Sequence, residues 1–204
     1  MMRRPIASDV RGAALVEFAF VAPVMLLLMM GLCDLIYQVY AKSVLNGAVQ
    51  KAGRDATIQG GAQQTDTLDA RVLTGMSGLF SLPTNSCATT PVAGSWCSSR
   101  KSYATFSTIG AEPFTDSNND GIRQVGECYS DINGNKQWDA DAGIAGQGGA
   151  NDVTLYTMSV TYPRIFPIAG LIGWPTTVTI TTTTLLKNQP YATQAASSPA
   201  TICT

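Results

Sequence analysis

The chain has 204 residues, 45% of them hydrophobic and 13% charged, with a formal net charge of −1. This size suits a membrane helix followed by one modest globular domain. The chain contains no histidine, so the commonest general base and the commonest zinc ligand are missing. The near-neutral charge and the lack of a dense basic cluster predict that nucleic acid is not a partner.

The N-terminal region combines a basic leader, residues 1–12, with an apolar run over residues 13–40. The leader holds three arginines and one aspartate, and the run contains only two charges, Glu17 and Asp34. Roughly 20 apolar residues are enough for a helix to cross a bilayer. Because positive flanks stay in the cytoplasm, we expect a cytoplasmic leader, a transmembrane helix at 13–40 and an extracytoplasmic remainder. A plain signal anchor is an alternative, whereas a signal peptide would have a shorter apolar region.

Two residues at the start of the apolar run favour a more specific interpretation. Gly12 lies where a peptidase at the cytoplasmic face could cut the chain before Ala13, which would make Glu17 the fifth residue. An acid at the centre of a membrane helix costs about 2.5–3.5 kcal/mol, so such a carboxylate usually has a partner. We therefore expect a processing site at Gly12 and Ala13, and expect Glu17 to pair with the N-terminal ammonium of a neighbouring subunit.

The segment RGAALVEFAFVAPVMLLLMMGLCDLIYQVY resembles the N-terminus of the TadE-like family of tight-adherence (Tad, Flp) pilus systems, which are pseudopilins or minor pilins. The residues that carry the resemblance are Gly12, Ala13, Ala14, Val16, Glu17, Phe18 and Pro23. It implies cleavage after Gly12 by a prepilin peptidase and docking of Glu17 onto other pilins or pseudopilins at a pilus assembly platform. It also implies an inner-membrane location with the domain in the periplasm or on the pilus.

The rest of the chain predicts an extracytoplasmic α+β domain at residues 41–191 and a polar tail at 192–204. Apolar residues keep helical spacing beyond the membrane. Two threonine-rich segments near the end alternate with a period of two, which predicts paired antiparallel strands. Their even-numbered face should pack on the long pilin-like helix, giving a helix on a small antiparallel sheet. The predicted helices run from Ala13 to Ile58 and over 66–80, and the predicted strands cover 103–109, 155–162 and 178–186.

The connection at 163–175 is unusually apolar for a loop. Its large side chains would form an exposed patch unless something covers them. Two interpretations stay open. The connection either folds back into the domain core or contacts a partner subunit or the outer face of the bilayer.

Four of the five cysteines lie beyond the apolar run, without CxxC spacing. This distribution is typical of disulfides formed in an oxidising compartment. The most local pairing joins Cys87 to Cys97 and leaves Cys128 with Cys203, although four cysteines allow three pairings.

An acidic, loop-rich insert at residues 112–143 contains a twelve-residue match to the calcium loop D-x-[DN]-x-[DN]-G-x5-E. Alternate side chains would surround one cation, Gly121 permits the sharp turn, and a bidentate glutamate closes the sphere. The predicted Ca²⁺ ligands are Asp116, Asn118, Asp120, the Ile122 carbonyl, Gln124 and Glu127. The alternative is a solvated turn region that binds nothing.

Fifteen residues further on, the pattern partly repeats. Lys136 stands where glycine is expected and Ala142 where the closing glutamate is expected, so Asp141 is predicted to close the loop instead. The predicted ligands of this second loop are Asp131, Asn133, Asn135, the Gln137 carbonyl, Asp139 and Asp141.

These patterns favour a minor pilin or pseudopilin that acts in pilus assembly and surface adhesion through a Ca²⁺-stabilised domain. The alternative is a single-pass, membrane-tethered binding or adhesion module that never enters a filament. An enzyme is not expected, because the chain lacks histidine, a GxSxG sequence and a P-loop.

Overall fold

The computed structural model describes residues 11–58, 64–166, 168–171, 173–190 and 199–203, without the side chains of Arg11 and Ile168. Residues 1–10 of the predicted leader, the glycine-rich stretch at 59–62 and most of the predicted tail lie outside these residues.

One helix, α1 (Arg11–Ala56), dominates the molecule and confirms the predicted helix that continues beyond the membrane run. It stays helical through Pro23, whose missing N–H is tolerated in membrane helices. By length and composition, α1 could cross a membrane, and no residue of its most apolar stretch is buried. From Ala41 onward one face is buried, with Leu45 and Val49 inaccessible to solvent. The helix thus has two parts. Its N-terminal, or lower, half is exposed, and its C-terminal, or upper, half belongs to the domain.

The other elements form two short helices, a five-stranded sheet and a separate two-stranded sheet. The helices are α2 (Thr65–Met76) and α3 (Ile168–Leu171), with a 3-10 turn at Phe106–Thr108. The strands are β1 (Thr84–Asn85), β2 (Ser95–Tyr103), β3 (Cys128–Asp131), β4 (Ile144–Ala145), β5 (Val153–Pro163), β6 (Thr177–Lys187) and β7 (Ala200–Cys203). The main sheet has the order β1-β2-β5-β6, with β4 also paired to β2, and β3 pairs with β7.

The two predicted threonine-rich strands are β5 and β6, and they pair antiparallel from Val153 opposite Lys187 to Pro163 opposite Thr177. Side chains alternate between the two faces of a strand, so one set of residues shares a face. The buried set is the even-numbered one, as predicted. The core that it forms with the helices contains Ala41, Leu45, Val49, Ala52, Ala56, Leu68, Val72, Met76, Tyr156, Met158, Val160, Tyr162, Val178 and Ile180.

The predicted strand at 103–109 is wrong, because β2 ends at Tyr103 and the following residues include a 3-10 turn. The stretch before it, for which no strand was predicted, is β2, and β2 lies between β1 and β5. The sheet is also mixed instead of purely antiparallel, since the two-residue β1 runs parallel to β2. β2 has a polar sequence, and its polar side chains form hydrogen bonds and an ion pair with a residue of α2. The local composition of β2 does not reveal this interaction.

Asp69 of α2 is the residue that these side chains of β2 contact. It is 4% exposed, and its Oδ1 lies 2.5 Å from Nη2 of Arg100 and accepts a 2.6 Å hydrogen bond from the Tyr156 hydroxyl. Its Oδ2 accepts a 2.6 Å hydrogen bond from Ser98. Burial, and then the bond to Asp69, raise the pKa of Tyr156. The cluster joins α2 to both β2 and β5.

Both predicted disulfides are present, Cys87–Cys97 and Cys128–Cys203. The second joins β3 to β7, where the two cysteines are also paired in the strand register. Part of the predicted tail is therefore a strand fastened to the acidic insert.

Candidate calcium loops and membrane stem

The acidic insert leaves and rejoins the domain at one neck, where the Ala142 N–H donates to the Gly110 carbonyl at 2.9 Å. Within the insert, Phe114 meets Trp138 edge to face, with ring centroids 6.1 Å apart. Phe114 also bridges to Tyr129 of β3. The first predicted loop begins at Asp116, two residues after Phe114, and the second begins at Asp131, the last residue of β3. The sheet of β3 and β7 therefore positions both loops.

In the first loop, the carboxylates accept backbone N–H groups of the turn that they begin. Asp116 accepts bonds from the N–H groups of Asp120 (3.2 Å) and Gly121 (2.8 Å). Asp120 accepts a 2.8 Å bond from the Ile122 N–H. Gly121 has φ +76°, a conformation that favours glycine. The glycine that the sequence assigned to the sharp turn is therefore at that turn.

Glu127, the residue predicted to close the first loop as a Ca²⁺ ligand, accepts hydrogen bonds from two backbone N–H groups of the loop. One carboxylate oxygen accepts the Ser117 N–H at 2.8 Å and the other accepts the Gln124 N–H at 2.9 Å. These donors are the second and ninth residues of the loop. Glu127 is 6% exposed. Its two hydrogen bonds connect the second residue of the loop to the ninth.

The second loop repeats this backbone geometry residue for residue. Asp131 accepts bonds from the N–H groups of Asn135 (3.2 Å) and Lys136 (2.9 Å), as Asp116 does at the same loop positions. Lys136 adopts φ +65°, the left-handed conformation of its counterpart Gly121. A non-glycine residue rarely adopts this conformation. The second loop therefore folds like the first in spite of its imperfect sequence.

Glu112 closes the second loop, although it precedes both loops in the chain. Its Oε1 accepts the Ile132 N–H at 2.8 Å, and its Oε2 accepts the Asp139 N–H at 3.1 Å. These are again the second and ninth loop positions, and Glu112 is only 1% exposed. Sequence reasoning missed this residue. The available signal was its spacing, because Glu112 and Glu127 are 15 residues apart, as are Asp116 and Asp131.

Asp141, predicted to close the second loop, lies elsewhere. Its carboxylate forms an ion pair with Lys101 and accepts a 2.7 Å hydrogen bond from the Tyr103 hydroxyl. The hydrogen bond from Lys101, followed by that from Tyr103, lowers the pKa of Asp141. These partners belong to β2, so Asp141 fastens the neck of the insert to the main sheet. The sequence placed Asp141 in the loop because Ala142 left the closing position vacant.

The donor set of both loops is chemically suited to Ca²⁺, which prefers carboxylate, amide and carbonyl oxygens. In the residues that the structure describes, no three Asp, Glu or Cys side chains are gathered as a metal cluster. The carboxylates instead accept hydrogen bonds from backbone N–H groups and side-chain amides, three of them at Asp131 and three at Asp120. A carboxylate has about four lone-pair sites, so even these residues keep a site that can bind a cation.

The predicted processing site lies near the N-terminal end of α1, the helix that we call the stem. Gly12, Ala13 and Glu17 are exposed, and among the described residues no atom beyond the chain neighbours and the local helix backbone comes within 4 Å of the place where a Cβ on Gly12 would lie. Glu17 has no polar partner in the described part of the chain. The other acid of the apolar run, Asp34, is 9% exposed and forms an ion pair with Arg164.

Comparison with known proteins bears on the stem alone. No curated protein and no solved structure matches the chain. A family model does match, over nearly the whole of α1. The resemblance drawn from the sequence is therefore confirmed over residues 12–54, where the chain matches the family described as TadE-like protein.

Proposed function

We propose that the protein is a minor pilin or pseudopilin of a Tad-type pilus and acts in pilus assembly and surface adhesion. The observation that carries the proposal is the match of residues 12–54 to the TadE-like family. The exposed apolar half of α1 and the folded domain on its other half suit a subunit that is stored in a membrane and packs through its stem. The TadE-like family is structural, which favours an assembly role over catalysis.

In this proposal, α1 crosses the inner membrane with its N-terminus in the cytoplasm and the domain in the periplasm. A prepilin peptidase cuts between Gly12 and Ala13. Glu17 then pairs with the N-terminal ammonium of a neighbouring pilin, because a carboxylate in an apolar environment is stabilised by an opposite charge. The exposure of all three residues supports access by a peptidase and by a neighbour.

The N-terminus of the protein purified from its own membrane tests this proposal. We expect a mature chain that begins at Ala13, and a chain of unprocessed mass for Gly12→Leu. Gly47→Leu is the matched control, since Gly47 is also an exposed helical glycine without neighbours at its Cβ position. An unprocessed wild-type chain, or equal processing of both variants, would contradict cleavage at Gly12.

We further propose that each acidic loop holds one structural Ca²⁺. The correspondence of bonds and positive φ angles between the loops supports a shared role. The first ion would be held by Asp116, Asn118, Asp120, the Ile122 carbonyl, Gln124 and Glu127. The second would be held by Asp131, Asn133, Asn135, the Gln137 carbonyl, Asp139 and Glu112, with Glu112 in the role that the sequence assigned to Asp141.

Calorimetric titration of the full chain in detergent with Ca²⁺ tests the two sites. We expect two sites in the wild type and loss of one in either Glu112→Gln or Glu127→Gln, with at least about tenfold weaker binding there, because ligand charge sets the affinity of such loops. Asp141→Asn is the matched control and should keep both sites. Absence of binding in the wild type, or equal losses in Glu112→Gln and Asp141→Asn, would contradict the assignment.

The second candidate function is a membrane-tethered adhesion module that stays outside filaments. It is favoured by the extent of the family match, which covers residues 12–54 and leaves the domain beyond them unmatched. Cross-linking in intact cells separates the two candidates. A cysteine at Ala14 or Val21 that cross-links to other pilins supports a filament subunit, and cross-linking to none of them supports the tethered module.

A further inference from the structure

The apolar connection between β5 and β6 lies against the stem instead of joining the core. Ala169 is 4% exposed and faces α1, and its carbonyl accepts a 2.8 Å hydrogen bond from the Trp174 N–H. Ile165, Leu171 and Trp174 are 54%, 72% and 62% exposed. The connection thus presents large apolar side chains outward at one end of the domain.

The connection and α1 enclose a groove of about 470 Å³. Its polar end is the Asp34–Arg164 ion pair, where Gln38 also donates to Asp34 at 2.8 Å. Its apolar side on the stem is formed by Leu27, Leu28, Leu32 and Leu35. The groove therefore extends along the apolar run from Leu27 to Asp34, the second of the two charged residues in that run.

The height of this ion pair on the stem coincides with the expected surface of a bilayer. Glu17 and Asp34 are 17 residues apart, or about 26 Å along a helix, and a bilayer core is roughly 30 Å thick. If Glu17 lies near the cytoplasmic boundary, Asp34 lies near the outer one. Trp174 and Arg164 line the same groove as Asp34, and tryptophan and arginine are side chains that suit this interface.

We propose that the described residues of this connection, 164–166, 168–171, 173 and 174, form a membrane foot, which rests in the outer face of the bilayer with phospholipid acyl chains in the groove. The Asp34–Arg164 pair removes the net charge of Asp34 at the boundary. Ile165, Leu171 and Trp174 contact the lipid between head groups and acyl chains. The inference rests on the proposed membrane span of α1.

Lipid is favoured over a second copy of the chain because the groove is continuous with the membrane run. Leu27 and Leu28 lie among residues that any bilayer around the stem would contact, and Leu32 and Leu35 lead from them to the foot. Acyl chains enter such a groove without displacing another partner.

Fluorescence quenching by brominated lipids tests the foot. The full chain is reconstituted in vesicles of phosphatidylethanolamine and phosphatidylglycerol that carry bromine either near the head group or near the methyl end of the acyl chains. We expect stronger quenching by bromine near the head group. Trp174→Phe should lose most of this quenching, because Trp96 and Trp138 lie in the domain and the insert. The matched control Trp138→Phe should keep it.

Equal quenching of wild type and Trp174→Phe would overturn the foot, as would quenching of Trp174 by aqueous iodide in place of brominated lipid. Trp174 could also be shielded from both quenchers at a high protein-to-lipid ratio and not at a low one. That result would overturn the foot and would indicate that a second copy of the chain occupies the groove. Extraction with alkaline carbonate is run in parallel. A chain that alkaline carbonate extracts disproves the membrane span itself, whereas an inserted chain with an unquenched Trp174 disproves the foot alone.

Discussion

The helix–sheet core and the acidic insert are ordered by different interactions. In the core, Leu45 and Val49 of α1 are fully buried in one cluster with Met158 and Val160 of β5. In the insert, buried carboxylates such as Glu112 accept backbone N–H groups, and apolar contact is limited mainly to a few aromatic side chains around β3. The core therefore depends on burial of apolar surface, which requires no bound ion. The insert depends on its carboxylates, on one disulfide and, in our proposal, on Ca²⁺.

The largest expected effect is a loss of stability in the helix–sheet core. Asp69→Ala leaves the guanidinium of Arg100 buried without its partner, and breaking a buried ion pair costs about 3–5 kcal/mol. We expect this loss in the free energy of unfolding measured by urea titration, with or without Ca²⁺. Asp55→Ala is the control, because its pair with Arg71 is exposed and worth at most about 1 kcal/mol. Equal losses for the two variants would contradict the assigned role of Asp69.

An intermediate effect should separate the two regions. Replacing Cys128 and Cys203 together by serine frees β7 from β3, and removal of such a disulfide costs about 2–4 kcal/mol. Hydrogen exchange should show faster exchange at Tyr129 and its neighbours and unchanged exchange in β5 and β6. The same replacement at Cys87 and Cys97 should leave the insert protected. If β5 exchanged as fast as β3 in the first variant, the two regions would share one unfolding unit.

The smallest expected effect concerns the neck between the regions. The lowered pKa of Asp141 means that its ionised form stabilises the folded chain. This contribution is fully present above the usual aspartate pKa of about 3.9 and is lost as the pH falls through the lower folded value. The thermal midpoint of Asp141→Asn should therefore lie slightly below that of the wild type at pH 7, and the difference should shrink in acid. A difference that grew in acid would contradict the ion pair.

The sequence was informative where one periodicity follows one interaction. The alternation of Met158 and Val160 with threonine-rich neighbours placed β5 and its buried face, and the apolar spacing from Val44 to Ala56 placed the upper half of α1. β2 was missed because Ser98 and Arg100 gain their stability from Asp69, about thirty residues earlier. No pattern local to β2 contains that partner.

The insert shows the same limit at a finer scale. The first loop holds all its residues within twelve positions, so its turn and its closing glutamate were predicted. The second loop takes Glu112 from 20 residues before Ile132, and a search for a closing acid downstream of Asp139 finds Asp141 instead. Only the folded neck, which brings Gly110 to Ala142, makes the upstream residue available.

The continuity of α1 has a mechanical consequence. Its 46 residues form one helix of about 69 Å, and the part that packs on the sheet follows the exposed part without a loop between them. A force that draws the stem out of a bilayer would therefore lift the domain by the same distance, and a rotation of the stem would turn it by the same angle. In a subunit of this design, what happens to the stem is transmitted directly to the surface that the domain displays.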